Sequence, residues 1–389
     1  MKIHEYERRV YLDNAATTPM SREVIDEMLL YFDIQYGNPS SLHSYGRMAK
    51  AAIARAYDQV AAAINASPEE IYFTSGGSES DNWALKGIAF AYQNVGRHII
   101  TSAIEHHAVL HTCEWLEQNG FEVTYLPVDK YGMVSPEKVE QAIRKDTILI
   151  SIMTANNEIG TIQPIAKIGE VARRHGVLFH TDAVQAIGMM DVDVEQMGVD
   201  LLSISGHKFH APKGIGALYV RDGIMVDSLI HGGMQQGGLR AGTEAVASIV
   251  GIGKAIETAV RNRNANAANM KMLRDKLWDE IKRTIPGTKM NGHPHCKLPG
   301  ILSVTIHGIE NESLLLLLDK HGIAVSAGSA CMSGLNTPSH VLKAIGLSDS
   351  DTKSTIRMSL GTDINEADIY YVTDELCRAV DKLRGLNKG

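Results

Sequence analysis

The sequence lacks most of the features that would assign it to a large class at once. Its four cysteines, Cys113, Cys296, Cys331 and Cys377, lie far apart and include no C-x-x-C pair. That speaks against a disulfide scaffold and suits reduced thiols in a cytoplasmic protein, one of which is available for chemistry. No stretch is apolar enough to span a bilayer, and the opening MKIHEYERRVYLD is charged where a signal peptide would be apolar. Lysine and arginine number 38 against 45 acidic residues, a net charge of -7, so the basic patch that nucleic acid needs is missing. There is no G-x-x-x-x-G-K-[ST] phosphate loop, no internal repeat and no low-complexity segment.

What remains is a 389-residue chain, 44% hydrophobic and 21% charged, with enough apolar material for a sizeable core in two or three domains. From Glu70 to about Ala217 short apolar runs alternate with helical periodicity. This predicts an α/β fold, with a mainly parallel mixed sheet flanked by helices in a large domain. A largely polar helical stretch from about Val260 to Glu280 reads as a connector, and the mixed pattern beyond it as a smaller α+β C-terminal domain. The expected division is 15–260 for the large domain, with 1–14 and 261–389 forming the small one.

In parallel sheets ligands bind outside the carboxyl ends of the strands. Here those ends carry Ser75-Gly76-Gly77-Ser78, His106, Asn157, Asp182 with Gln185, and Ser205-Gly206-His207-Lys208. TSGGSES opening a helix is an anion cradle, although Ser78-x-x-Asp81 alone also fits a helix cap. Lys208 follows an apolar strand in a glycine-bearing turn, where desolvation would make its amine nucleophilic. Asp182 either caps the next helix or faces a cationic ring nitrogen. A Schiff-base lysine, an aspartate for a pyridinium nitrogen and a helix N-terminus for a phosphate are together what pyridoxal phosphate requires.

His106-His107 and His293-Pro294-His295-Cys296 both invite a metal reading. Neither has a second ligand pair at the right spacing, so no metal is expected, and His106 reads instead as stacking on a flat cofactor or as an acid–base group. In SAGSACMSG the small residues around Cys331 leave the thiol exposed on a segment free to move, whereas a structural cysteine more often sits among large apolar neighbours. Arg357, in STIRMSL, offers a fork for a carboxylate, or a plain salt bridge. Arg240, in the glycine-rich HGGMQQGGLRAGT, could reach a phosphate across a subunit interface.

Taken in order, YLDNAATTP, GNPSSLH, FTSGGSESDN, TSAIEHHAVL, NNEIGTIQPI, HTDAVQAIG, SGHKFHAPKGIGALYVR, GLRAGT, SAGSACMSG and IRMSLG resemble the cysteine desulfurases of the NifS/IscS type, within the aminotransferase-like enzymes that carry pyridoxal 5'-phosphate. The resemblance runs from Tyr11 to Leu383. It implies that Lys208 holds the cofactor, Asp182 meets its ring nitrogen, His106 stacks on the ring and Gln185 bonds its hydroxyl. Gly77, Ser78, Ser205 and His207 would hold the phosphate, with Thr243 arriving from the partner subunit of a homodimer. Asn157 and Arg357 would bind the carboxylate of L-cysteine, with Asn14 nearby, and Cys331 would take the sulfur as a persulfide for an acceptor such as an iron–sulfur scaffold. Met332 stands where a small hydroxyl residue is usual in that family. A selenocysteine lyase, or another pyridoxal-phosphate enzyme of the same fold, is the alternative.

Overall fold

The computed structural model describes residues 8–328 and 338–386. β1 (Val10–Tyr11) opens the chain, and seven strands then build the main sheet: β2 (Ile71–Thr74), β3 (His98–Ser102), β4 (Glu122–Leu126), β5 (Thr147–Ser151), β6 (Leu178–Asp182), β7 (Leu201–Ser205) and β8 (Gly216–Val220). Their spatial order is β2-β8-β7-β6-β5-β3-β4. The pairings from β7 through to β4 are parallel, while β8 runs antiparallel to both β7 and β2. Two reversals return β2 to the direction of β7, so its carboxyl end opens on the same edge as those of the parallel strands. β5, β7 and β8 are buried at every position, which is why they read as continuous apolar runs rather than as alternation.

Helices cover both faces. The helix Ser44–Ile64 buries Ala49, Ala52, Ile53, Ala56, Val60 and Ile64, one stripe at three- and four-residue spacing, and stops at Asn65 in the left-handed region. It packs with Phe73, Ile150, Phe179 and Ile204 in a core on one face of the sheet. On the opposite face Trp83, Leu85, Ile88, Val109, Cys113 and Leu116 pack against Ile99, Leu149, Leu201 and Leu218.

The stretch read as a connector lies within one 39-residue helix, Val246–Thr284, and its second half is partly buried. Its first part (Ile249, Ile252, Ile256) enters the core of the large sheet, and its last part (Leu273, Leu277, Ile281) enters a second core. That second core is built on β9 (Thr288–Met290), β10 (Ile301–Ile306), β11 (Ile323–Ala324) and β12 (Thr355–Ser359). β10 lies between β12 and β9, antiparallel to both. β1 pairs in parallel with β11, carrying the N-terminal residues back to the C-terminal unit. A short helix, His340–Ala344, lies between β11 and β12. Among the described residues no helix is long and apolar enough to cross a membrane.

Candidate active site

The carboxyl ends of β2, β3, β5, β6 and β7 surround a cavity of about 440 Å³ that also receives Ala15–Thr17 and Arg357. Its lining brings together ten of the residues picked out in the sequence: Gly77, Ser78, His106, Asn157 and Asp182, then Gln185, Ser205, His207, Lys208 and Arg357.

Lys208 lies in the short turn that follows β7, and its Nζ donates to the carbonyls of Ala15 and Ala16, both at 2.7 Å. Gln185 Nε2 donates to the carbonyl of Ala15 at 3.0 Å, and His207 Nδ1 lies 3.1 Å from Thr17 Oγ1. The segment after β1 is thus fastened to the lysine turn. Asp182, at the end of β6, accepts from the amide of Val184 at 2.8 Å. It therefore caps locally as well as facing the cavity. Burial raises its carboxyl to about pKa 6, opposed by the Val184 amide and by the charge of Lys208. Asp81 is one turn inside its helix, so it does not cap. It is fully buried, Oδ1 makes no hydrogen bond although His180 Nε2 lies 3.7 Å away, and burial followed by the charge of Asp182 pushes its pKa well up.

The helix start expected as an anion cradle opens on the cavity. Gly76 precedes the helix Gly77–Ala91 at φ +149°, and the helix has no side-chain N-cap. A Cβ at Gly77 would stand 2.8 Å from Val184 Cγ2, so only glycine lets this backbone approach the cavity wall. Arg240 does not line this chain's own cavity. Its fork is taken by Glu79, at 2.8 and 3.1 Å, and Glu79 also accepts from the amide of Ser75 at 2.7 Å.

His106 caps the helix His107–Gln118, with Nδ1 accepting from the amide of Ala108 at 3.1 Å. Nδ1 is therefore unprotonated, and the neutral ring carries its proton on Nε2. Burial, then the charge of Lys208, lowers its pKa to about 4. Arg357 is 1% exposed. Its Nη1 donates to the carbonyl of Asn157 at 2.9 Å and its Nη2 to Asp13 Oδ1 at 2.7 Å, while the buried Nε has no partner.

Two expected residues lie outside this cavity. Asn14 is buried beside it, its amide donating to the carbonyls of Ser359 and Tyr11 at 3.0 and 3.3 Å. Thr243 lines a separate cleft with Tyr31, Tyr36 and Pro39. Cys331 falls outside the described residues. His293 Nδ1 accepts from the amides of its own loop at His295 and Cys296, and among the described residues no three metal-binding side chains converge. The sequence reading gave no role to Glu158 or Glu105, both buried beside the site. Glu158 stood inside a quoted motif, NNEIG, and that was its only signal.

Residues 10–372 match the model of the family described as Aminotransferase class-V. A "Cysteine desulfurase IscS" of Methanosarcina thermophila is 54% identical over 380 residues, covering 98% of this chain and 94% of that protein. A protein of the same name from Clostridium botulinum (strain Kyoto / Type A2) is 50% identical, covering 98% of this chain and 96% of its own length. Among solved structures, a "NIFS-LIKE PROTEIN" superposes with a TM-score of 0.91 at 39% identity, covering 96% of this chain and all of the other. One titled "SspA in complex with cysteine" gives 0.81 at 42% identity, covering 90% and 98% of the two chains.

Proposed function

The chain belongs to the class-V aminotransferase family and is a cysteine desulfurase, and from that premise we propose that it binds pyridoxal 5'-phosphate at Lys208 and moves the sulfur of L-cysteine onto Cys331 as a persulfide. The observation that carries this reading is the convergence on one cavity of the Lys208 amine, the buried Asp182 carboxylate, the uncapped helix start at Gly77 and the Arg357 guanidinium. These groups fit the cofactor's chemistry. An anion belongs at the helix N-terminus beside Ser78, Ser205 and His207. A cation belongs against Asp182, whose ionised form is otherwise penalised by burial. Bound there, pyridoxal phosphate supplies an electron sink for the Cα of an amino acid joined to it.

The rest is work for the chain's own side chains. Gln185, held by Ala15, offers its amide to the cofactor's ring hydroxyl. Arg357, with N–H groups to spare, and Asn157 orient the substrate carboxylate. Lys208, steadied by two carbonyls at the cavity wall, is the base for the Cα proton. His106 forms a neutral face with a single N–H donor, Nε2, rather than a free base. The Cys331 thiolate attacks the substrate sulfur and an S–S bond forms. The C–S bond breaks with its electron pair left on carbon, and that carbon takes a proton to give alanine. We place Thr243 at the partner's site in a homodimer, and the sulfur's onward path in an acceptor protein such as an iron–sulfur scaffold in the cytoplasm.

The test is to incubate the holoenzyme with L-cysteine and a thiol and quantify alanine and sulfide together. Equal amounts are expected, with near-zero turnover in Cys331→Ala although its cofactor spectrum still responds to cysteine. Comparable sulfide release by Cys331→Ala would overturn the persulfide route and favour selenocysteine as the substrate.

A further inference from the structure

Both flanks of residues 329–337 are brought together over one side chain that no step above uses. Glu158 is 2% exposed, and its Oε2 accepts from Ser339 Oγ at 2.6 Å. On the other flank Gly328 lies so close that a Cβ built on it would stand 3.0 Å from the same oxygen, at a φ of +120° that favours glycine. The carbonyl of Gly328 accepts from Ser326 Oγ at 3.0 Å. Ser326 and Arg357 exchange both backbone hydrogen bonds, at 3.0 and 2.6 Å. Arg357 closes the circuit on the carbonyl of Asn157, the residue before Glu158. One carboxylate therefore stands where the two flanks meet and where the carboxylate-binding pair Arg357 and Asn157 is anchored.

Burial raises the Glu158 pKa, while the Ser339 hydroxyl and the charges of Arg357 and His107 favour its ionised form. A carboxyl in so dry a place gains nothing over an apolar side chain as packing. Its use lies in its partners.

We propose that Glu158 is a positioning residue for Cys331, tying Ser339 at the point where the Gly328 backbone, itself held by Ser326, packs against the same carboxylate, and so keeping the two flanks of the segment that bears the thiol side by side. The proposal rests on the reading of Cys331 as the sulfur acceptor and adds a residue that touches neither substrate nor cofactor. Fixing two chain ends removes closure entropy in advance and raises the effective concentration of whatever lies between them. Losing the clasp should therefore slow the thiol's attack and leave substrate entry alone.

The experiment is a single turnover of the holoenzyme with L-cysteine, reading the cofactor absorbance change on substrate entry and, separately, the gain of one sulfur on the Cys331 peptide. In Glu158→Ala the absorbance step should keep its rate within about twofold, whereas persulfide formation falls about ten- to a hundred-fold. Ser339→Ala should behave alike, and the double variant should be no slower than either single one, because both act through one contact. Glu158→Gln still accepts from Ser339 and should recover most of the rate. Ser339→Ala carries the same test if Glu158→Ala does not fold. Persulfide formation at the wild-type rate, equal slowing of both steps, or additive losses in the double variant would overturn the proposal. Failure of the underlying reading would appear instead in the wild type, as alanine formed without a persulfide on Cys331.

Discussion

Replacing Arg357 tests two roles that its surroundings superimpose. The guanidinium has five N–H donors, of which one serves the carbonyl of Asn157 and one serves Asp13. With Nε unpartnered and the side chain lining the cavity, it retains the capacity for a two-pronged carboxylate contact. Losing such a contact costs about 1.5–3 kcal/mol, so Arg357→Ala should weaken L-cysteine binding about ten- to a hundred-fold. The same change strands Asp13. Removing one partner of a buried ion pair costs about 3–5 kcal/mol. The lower end applies here, because the Asp13 side chain is 18% exposed and water can partly replace the arginine. Arg357→Lys should restore part of the stability and little of the affinity, since an ammonium lacks the planar fork. Asp13→Asn, which spares the fork, should affect stability more than affinity. Urea unfolding and a cysteine titration followed by cofactor absorbance separate the two effects. If Arg357→Ala lost stability yet bound cysteine within twofold of wild type, the residue would be purely structural and the carboxylate site would lie elsewhere.

Borohydride reduction of the yellow holoenzyme should fix the cofactor to Lys208; recovery on Lys213, which lines the same cavity, would refute the assignment. Mixing Lys208→Ala with Thr243→Ala subunits should yield hybrids with one intact and one doubly altered site if Thr243 acts across the dimer, so partial activity should return; no return on pairing would place Thr243 in its own subunit's site. His106 is held near pKa 4 against an ordinary 6.5 by burial and by Lys208. Between about pH 6.5 and 4 the unfolded chain therefore binds a proton that the folded one refuses, and acid destabilises the fold through this group. His106→Gln should flatten the acid limb of stability of the cofactor-free protein, by at most about 1.4 kcal/mol per pH unit, and an unchanged slope between pH 4 and 6.5 would contradict that assignment.

The difference between what the sequence disclosed and what it withheld follows the reach of each interaction. Strands buried on both faces, such as β5 and β7, leave uninterrupted apolar runs, and polar residues shortly beyond them, Asn157 and Lys208 among them, are brought to the site by chain connectivity. The same local logic misplaced Asp81. Its helix begins at Gly77 after a glycine cap, so a residue that looked like part of a cap sits one turn further in and faces the buried side. The polar middle of the helix Val246–Thr284 was visible because it is exposed. Its two ends were not, because each belongs to a different core and neither keeps an apolar stripe for long. Partner choice is the part no periodicity encodes. Arg240 and Glu79 are 161 positions apart, and an arginine among glycines looks ready for phosphate until the carboxylate that occupies its fork is found. That pair ties the loop carrying Thr243 to the first turn of the helix whose N-terminus forms the anion cradle. Arg240 thus holds the scaffold around the proposed phosphate site, and the Glu79 it pairs with, held below the usual carboxylate range by Arg240 and Ser75 against the opposing effect of burial, stands at the cavity wall. With a phosphate at that helix start, as proposed, the arginine would offset the negative charge of Glu79 beside it, which gives a structural reason for an arginine at this position.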